Sequence, residues 1–285
     1  MSYLKMILAM VIFASTDFFL ADIGLPSVVI FCVRAVVGMA FLAVVLGFYK
    51  SRSGFSAFKK NAVPIILAGV ALAFNQIFLF EAYQRTTNSI VTVCYYIAPL
   101  LVLFMAPLFL REKVTLLSVA CTLGAYAGAV LLSGALGDEY PNMVGVMYAL
   151  IGAGLYCTVI IINKKIGVIT SLDNAFYQLV VASVVSVVYA IITLRGVSVT
   201  VNIHTVWKML LVSIVHTAIA YTLIFSAAKK LSAQNWGLMS YIEPLAAVAI
   251  GCFVYKRQLN NIELLGVVLI FCFVIIGCVL KKRRR

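Results

Sequence analysis

Ten nearly unbroken apolar runs, each about twenty residues long, dominate this sequence and leave few folds open to it. A helix needs roughly 20 mostly apolar residues to cross the hydrocarbon core of a bilayer. Windows of that size fall at 4–22, 27–49, 62–82, 88–110, 114–134, 142–162, 173–194, 207–227, 233–254 and 261–280. Composition agrees: 64% of the 285 residues are hydrophobic and 11% charged, with mean hydropathy +1.12. An ordinary soluble domain runs about 45–50% apolar and about 25% charged. A transmembrane β-barrel would alternate apolar and polar residues over roughly ten positions per strand, and these runs do not. The reading is an all-α polytopic membrane protein with ten transmembrane helices, numbered spans 1 to 10. The longest loops, 50–61 and 195–206, leave no room for a soluble catalytic or sensory domain.

The net charge of +13 follows the membrane and predicts no nucleic-acid partner. Sixteen basic residues fall at the termini and in the loops on their side, among them Lys50, Arg52, Lys59 and Lys60. Five fall on the other side: Arg85, Arg195, Lys208, Lys256 and Arg257. The positive-inside rule then places both termini in the cytoplasm. The basic tail 281–285 reads as an anchor at the anionic inner leaflet, with a regulatory or headgroup-binding role as the alternative. Lys5 ahead of an apolar run resembles a secretory signal, but Asp17 within the run and the lack of a small-residue cleavage site argue for a retained first helix. All seven cysteines lie inside spans and none forms a CxxC pair, so neither a disulfide framework nor a metal site is expected.

Sliding the chain on itself by 145 residues brings Tyr96-Ile97-Ala98-Pro99-Leu100 onto Tyr241-Ile242-Glu243-Pro244-Leu245. The same offset pairs Phe80 with Phe225, Ala82 with Ala227, Arg85 with Lys230 and Arg111 with Lys256. Two five-helix repeats, 4–134 and 142–280, are expected, joined by Ala135 to Pro141. Five is odd, so the second copy enters the membrane inverted, the arrangement that permits alternating access around a midplane site. An inert duplication in a channel or scaffold is the other reading.

These features resemble the drug/metabolite transporter superfamily, in particular its ten-helix EamA-like branch. The resemblance rests on Phe80-Glu81-Ala82-Tyr83, Tyr95-Tyr96-Ile97-Ala98-Pro99, Arg111-Glu112-Lys113 and Ser240-Tyr241-Ile242-Glu243-Pro244, with Arg34 at the arginine usual in helix 2. It departs at Phe13-Ala14, where Trp-Gly is common, and at Lys256-Arg257-Gln258, where a glutamate is common. The resemblance implies a plasma-membrane carrier whose cavity is formed chiefly by helices 3, 4, 8 and 9, with contributions from 1 and 6.

Charged residues inside spans mark the candidate site, because one at the centre of a spanning helix costs roughly 2.5–3.5 kcal/mol. Glu243 lies near the middle of span 9. Pro244 beside it lacks an N–H and so releases the Ser240 carbonyl from its helical bond. Carboxylate and free carbonyl together suit a proton, a cation or a hydrogen-bond donor. The competing reading is a protonated glutamate that packs two helices. Pro99 likewise frees the Tyr95 carbonyl, but Ala98 stands at the position equivalent to Glu243. Tyr95, Tyr96 and Tyr241 offer aromatic walls with hydroxyl handles, or simple packing. Arg34 reads as a salt bridge to Asp17 or as a substrate contact. Glu81 and Arg85 form an i,i+4 pair that is structural or an outer gate. His216 reads as a proton relay or as a hydrogen-bonded core residue, and Asn75 and Gln76 share that ambiguity. Trp236 and Gln234 read as interfacial anchors.

The expected function is secondary transport, as exporter or exchanger, of a small polar or amphipathic metabolite such as an amino acid. The alternative is a passive channel or membrane scaffold. There is no GxxxxGK[ST] for ATP, and no HExxH or GxSxG to equip an enzyme. No cofactor is expected, so the energy comes from the substrate's own gradient or from coupled protons. The expected partners are the lipid bilayer and the small-molecule substrate, with the chain a monomer or homodimer.

Overall fold

In the computed structural model, residues 1–20, 22–48, 54–135, 141–194 and 201–283 are described. Lys50, Arg52, Arg195, the connector 136–140 and the side chains of the basic tail lie outside the described residues. All described secondary structure is helical. Among the described residues, ten helices are long and apolar enough to span a membrane: Ser2–Leu20, Ser27–Phe48, Ala62–Tyr83, Asn88–Leu110, Leu116–Ser133, Met143–Lys165, Ser171–Thr193, Ile203–Ala228, Ala233–Val254 and Asn261–Val279. They fall where the apolar runs predict, with ends shifted by up to four residues. A short helix, Gly54–Lys60, precedes span 3. With an even number of spans, both ends of the chain share one face, called here the terminal face, opposite the far face.

Four spans are not single regular helices, and local chemistry accounts for three of them. Spans 4 and 9 each break one turn before an internal proline, giving Asn88–Tyr95 then Ala98–Leu110, and Ala233–Ser240 then Ile242–Val254. Pro99 and Pro244 cannot donate to the residue four back, so that turn opens. Span 1 breaks at Ser15, whose hydroxyl donates to the Ile12 carbonyl at 2.8 Å and competes with the backbone ladder. Span 8 contains a π-helical stretch, Val212–Ile219.

The 145-residue offset also relates local structure. Asn88–Tyr95 and Ala233–Ser240 start and end at equivalent positions, and each is capped by a hydroxyl, Thr87 on Ile90 N–H and Ser232 on Asn235 N–H. Arg111 and Lys256, again equivalent, are the two non-glycine residues with positive φ among those described, at 54° and 52°. Both end the second half of a broken span. Packing repeats too. Spans 3 and 6 pack together, as do 8 and 1, their counterparts five places on, and spans 2–7, 4–9 and 5–10 pair across the halves.

The largest buried cluster fills the half of the molecule beside the terminal face. It joins Met6 and Met10 of span 1, Val102 and Ala106 of span 4, Ile160 of span 6, Leu179 of span 7, and Phe225, Trp236 and Met239 of spans 8 and 9. A second cluster locks span 5 to span 10 and includes Tyr241. Here two glycines let backbones touch: a Cβ on Gly266 would lie 2.6 Å from the Gly128 carbonyl oxygen. Such small residues are how membrane helices gain close van der Waals contact without a hydrophobic drive between them.

Candidate functional site

The half of the molecule beside the far face contains a cavity. A cavity of about 480 Å³ reaches from span ends at that face (Tyr83, Asn88, Ser133 and Arg257) down to a floor of Ile224, Phe225 and Trp236. Spans 1, 2, 3, 4, 5, 6, 8 and 9 contribute to its wall. The breaks in spans 1, 4 and 9 place polar groups there, because an opened turn exposes backbone that must face water or protein at this depth.

Asp17, Arg34, Glu243 and Arg257 line the cavity. Among the described residues the ion pairs are Glu81–Arg85, Asp22–Lys208 and Glu263–Arg257. Asp17, Arg34 and Glu243 therefore line the same cavity without an ion partner among the described residues. The expected Arg34–Asp17 bridge is not formed. Arg34 Nε donates instead to Thr217 Oγ1 at 3.1 Å, because the π-helical stretch of span 8 carries Thr217 against span 2.

Asn75 and Gln76 also line the cavity. Asn75 Nδ2 donates to the Gly152 carbonyl at 2.8 Å and to Tyr95 Oη at 3.3 Å, and Gln76 Nε2 donates to Asn75 Oδ1 at 3.1 Å. Tyr95, Tyr96, Tyr156 and Tyr221 form part of the wall. Ring contacts link Tyr95 to Tyr156 at 5.8 Å, Tyr221 to Phe225 at 5.9 Å, and Phe225 to Trp236 at 6.4 Å. Tyr156, Tyr221, Phe225 and Arg257 line the cavity although the sequence did not assign them to the site. The available signal was a tyrosine within an apolar run, which does not by itself give direction.

Several expected site residues lie elsewhere. Ser240 is buried behind the wall, bonded to Tyr156 Oη at 3.2 Å and to the Trp236 carbonyl at 3.2 Å. Tyr241 is fully buried in the seam of spans 4, 5, 9 and 10, its hydroxyl donating to the Tyr96 carbonyl at 2.9 Å. Glu243 lines the cavity seven residues on from Trp236, on the same face of span 9, while Tyr241 and Ile242 do not line it. His216 lies outside the cavity wall, with Nε2 on Ser15 Oγ at 2.9 Å and its ring against Phe19. Glu81 and Arg85 are paired at the far end of span 3, where Glu81 also accepts from Tyr189 Oη at 2.6 Å and Arg85 covers the Tyr148 ring. Trp236 and Gln234 are not interfacial anchors. They are 1% and 5% exposed, because the first half of span 9 is packed among spans 1, 4, 5, 6 and 10.

Below that floor the terminal face is closed by polar ties between spans. Lys5 Nζ donates to Ser226 Oγ at 2.7 Å, and Asn235 Nδ2 to Tyr3 Oη at 3.1 Å. Lys164 Nζ donates to the carbonyls of Ala228 and Leu231, at 2.9 and 2.7 Å. The Glu112 carboxylate accepts the N–H groups of Ala233 and Gln234, at 2.7 and 3.3 Å. Lys229 donates to the Ile169 carbonyl, and burial holds its ammonium below the ordinary 10.5 while Asp173 opposes the shift.

Ten apolar spans surrounding a polar cavity define a multi-pass membrane protein with an interior compartment. The profile of the EamA-like transporter family matches residues 1–134 and again 143–277. The uncharacterized transporter YxxF of Bacillus subtilis is 26% identical over 274 residues, covering 94% of this chain and 86% of that protein. The uncharacterized transporter YojE of the same organism is 25% identical over 244 residues, covering 83% and 79%. A crystal structure described only as that of a protein superposes with a TM-score of 0.84 at 16% identity, covering 99% of this chain and 98% of its own. The chain belongs to the EamA-like transporter family, and as such it is a membrane transporter.

Proposed function

We propose that the protein is a secondary transporter, an exporter or exchanger, of a small polar or amphipathic metabolite such as an amino acid. Its two five-helix units are read as inverted repeats that alternate access to a midplane cavity. The observation that carries this reading is the cavity itself, open towards the far face, shut at the terminal face, and lined by Asp17, Arg34 and Glu243 without ion pairs among them. Opposite charges without partners inside a membrane protein suit a substrate that carries both, or one that trades places with protons. An inverted duplication supplies two packings of equivalent halves, and such a frame moves by rocking one against the other. The basic residues on the terminal side support cytoplasmic termini in the plasma membrane, which makes the open face the external one.

The test is counterflow in liposomes preloaded with candidate amino acids and amines, comparing wild type with Glu243→Gln. Saturable, substrate-accelerated exchange is expected of the wild type, lost or uncoupled from protons in the variant. Non-saturable flux in the wild type sinks the carrier reading, and a variant that exchanges like wild type removes Glu243 from the site.

A further inference from the structure

Glu112 and Arg257 occupy the same place in the two halves, 145 residues apart, directly after the residues of positive φ that end spans 4 and 9. Their surroundings differ. At the terminal face the Glu112 carboxylate takes the N–H groups of Ala233 and Gln234, the first two residues of span 9. Those donors have no partner within their own helix, and they form its positive end. The contact is buried, with Ala233, Gln234 and Asn235 at 0%, 5% and 7% exposure. One turn further on, Gly237 lets this segment seat on span 4, where an added Cβ would come within 3.3 Å of Pro99 Cα.

At the far face the equivalent parts stand apart. Asn88 and Ser89, counterparts of Ala233 and Gln234, line the cavity with Arg257 at its mouth, Asn88 exposed and Ser89 half-buried. Arg257 has no acceptor oxygen to offer the start of span 4, and its positive charge opposes that helix end. It pairs instead with Glu263. Thr92 holds the place of Gly237, and it and Pro244, the counterpart of Pro99, both line the open cavity.

We propose that Glu112 is the latch that holds the terminal face shut, and that arginine at the equivalent position 257 leaves the far face without one. The far face closes by the equivalent movement, the end of span 9 onto the start of span 4, but with a weaker seal. The transporter therefore rests open to the far side. Thr92 in place of glycine adds bulk to the same seam. This deepens the alternating-access reading and rests on it.

The test is hydrogen–deuterium exchange by mass spectrometry on the full chain in lipid nanodiscs, reading amides 88–91 against 233–236. Arg257→Glu combined with Glu263→Ser reproduces the pair Glu112 and Ser118 of the first half, and Arg257→Gln with Glu263→Ser removes the same ion pair without adding an anion. With glutamate, exchange at 88–91 slows about tenfold, the order expected of hydrogen bonds to a charged group, while 233–236 exchanges faster. With glutamine neither changes. Glutamate and glutamine variants that exchange alike overturn the proposal. If neither folds, Glu112→Ala in the otherwise native chain decides. A latch requires faster exchange at 233–236 together with slower exchange at 88–91, and faster exchange at 233–236 alone marks a helix cap and nothing more. Exchange is read without substrate, so absent counterflow would sink the transport reading and leave this measurement standing.

Discussion

Span 10 meets span 5 through two glycines, and the contact sets a measurable limit on side-chain size. A Cβ added at Gly266 would lie 2.6 Å from the Gly128 oxygen and 2.9 Å from the Leu132 nitrogen. Carbon–oxygen contacts between helices rest at about 3.3–3.6 Å, so Gly266→Ala must drive the two backbones apart by roughly 0.7–1 Å. A gap of that size forfeits about a quarter to a half of the dispersion energy of each contact it opens. Overpacking of this kind costs about 1–3 kcal/mol. Gly128→Ala intrudes on the same space, its Cβ falling 2.8 Å from the Gly266 oxygen. The two costs should then not add, because the first displacement makes room for the second. The assay is unfolding in mixed micelles titrated with dodecyl sulfate and followed by far-ultraviolet circular dichroism, for both single variants and the double. A Gly266→Ala midpoint within about 0.5 kcal/mol of wild type, the usual range for inconsequential substitutions, refutes the packing argument. So does full additivity.

Two further outcomes separate structural groups from site groups. Tyr241→Phe removes the hydroxyl that ties span 9 to the Tyr96 carbonyl, and should cost about 1 kcal/mol in the same titration without altering ligand binding by the folded protein. A loss of binding at unchanged stability would move Tyr241 back into the site. Burial of Lys229 lowers its folded proton affinity, so in the alkaline range below 10.5 the unfolded chain holds more protons and stability rises with pH. Lys229→Gln should lessen that rise, and parallel pH profiles for the two proteins would show that Lys229 does not contribute to it.

Hydropathy located the spans to within a few residues because only their length against the bilayer was being read. Pro99 and Pro244 were equally legible as residues that free a carbonyl one turn back, and the structure adds that spans 4 and 9 break there, whereas Pro107 sits within Ala98–Leu110 without a break. Glu243 and Asn75, expected at the site, line the cavity, and Asp17 and Arg34, expected as a salt bridge or a substrate contact, line it without pairing to each other. Facing was the harder quantity. Tyr241 and Tyr96 look alike in sequence, yet Tyr96 lines the cavity and Tyr241 is sealed in the seam of spans 4, 5, 9 and 10.

The sequence by itself determined ten apolar spans, the prolines behind which spans 4 and 9 open, and which charges fall within spans. Only the tertiary structure decided which way each helix is turned, and so assigned Trp236 to the floor, His216 to the packing behind the wall, and Glu112 to the start of span 9. The reason is that a membrane helix is apolar on the side that meets lipid and on the side that meets its neighbours. The 3.6-residue period then carries little contrast to fix rotation, and the contacts between helices supply it.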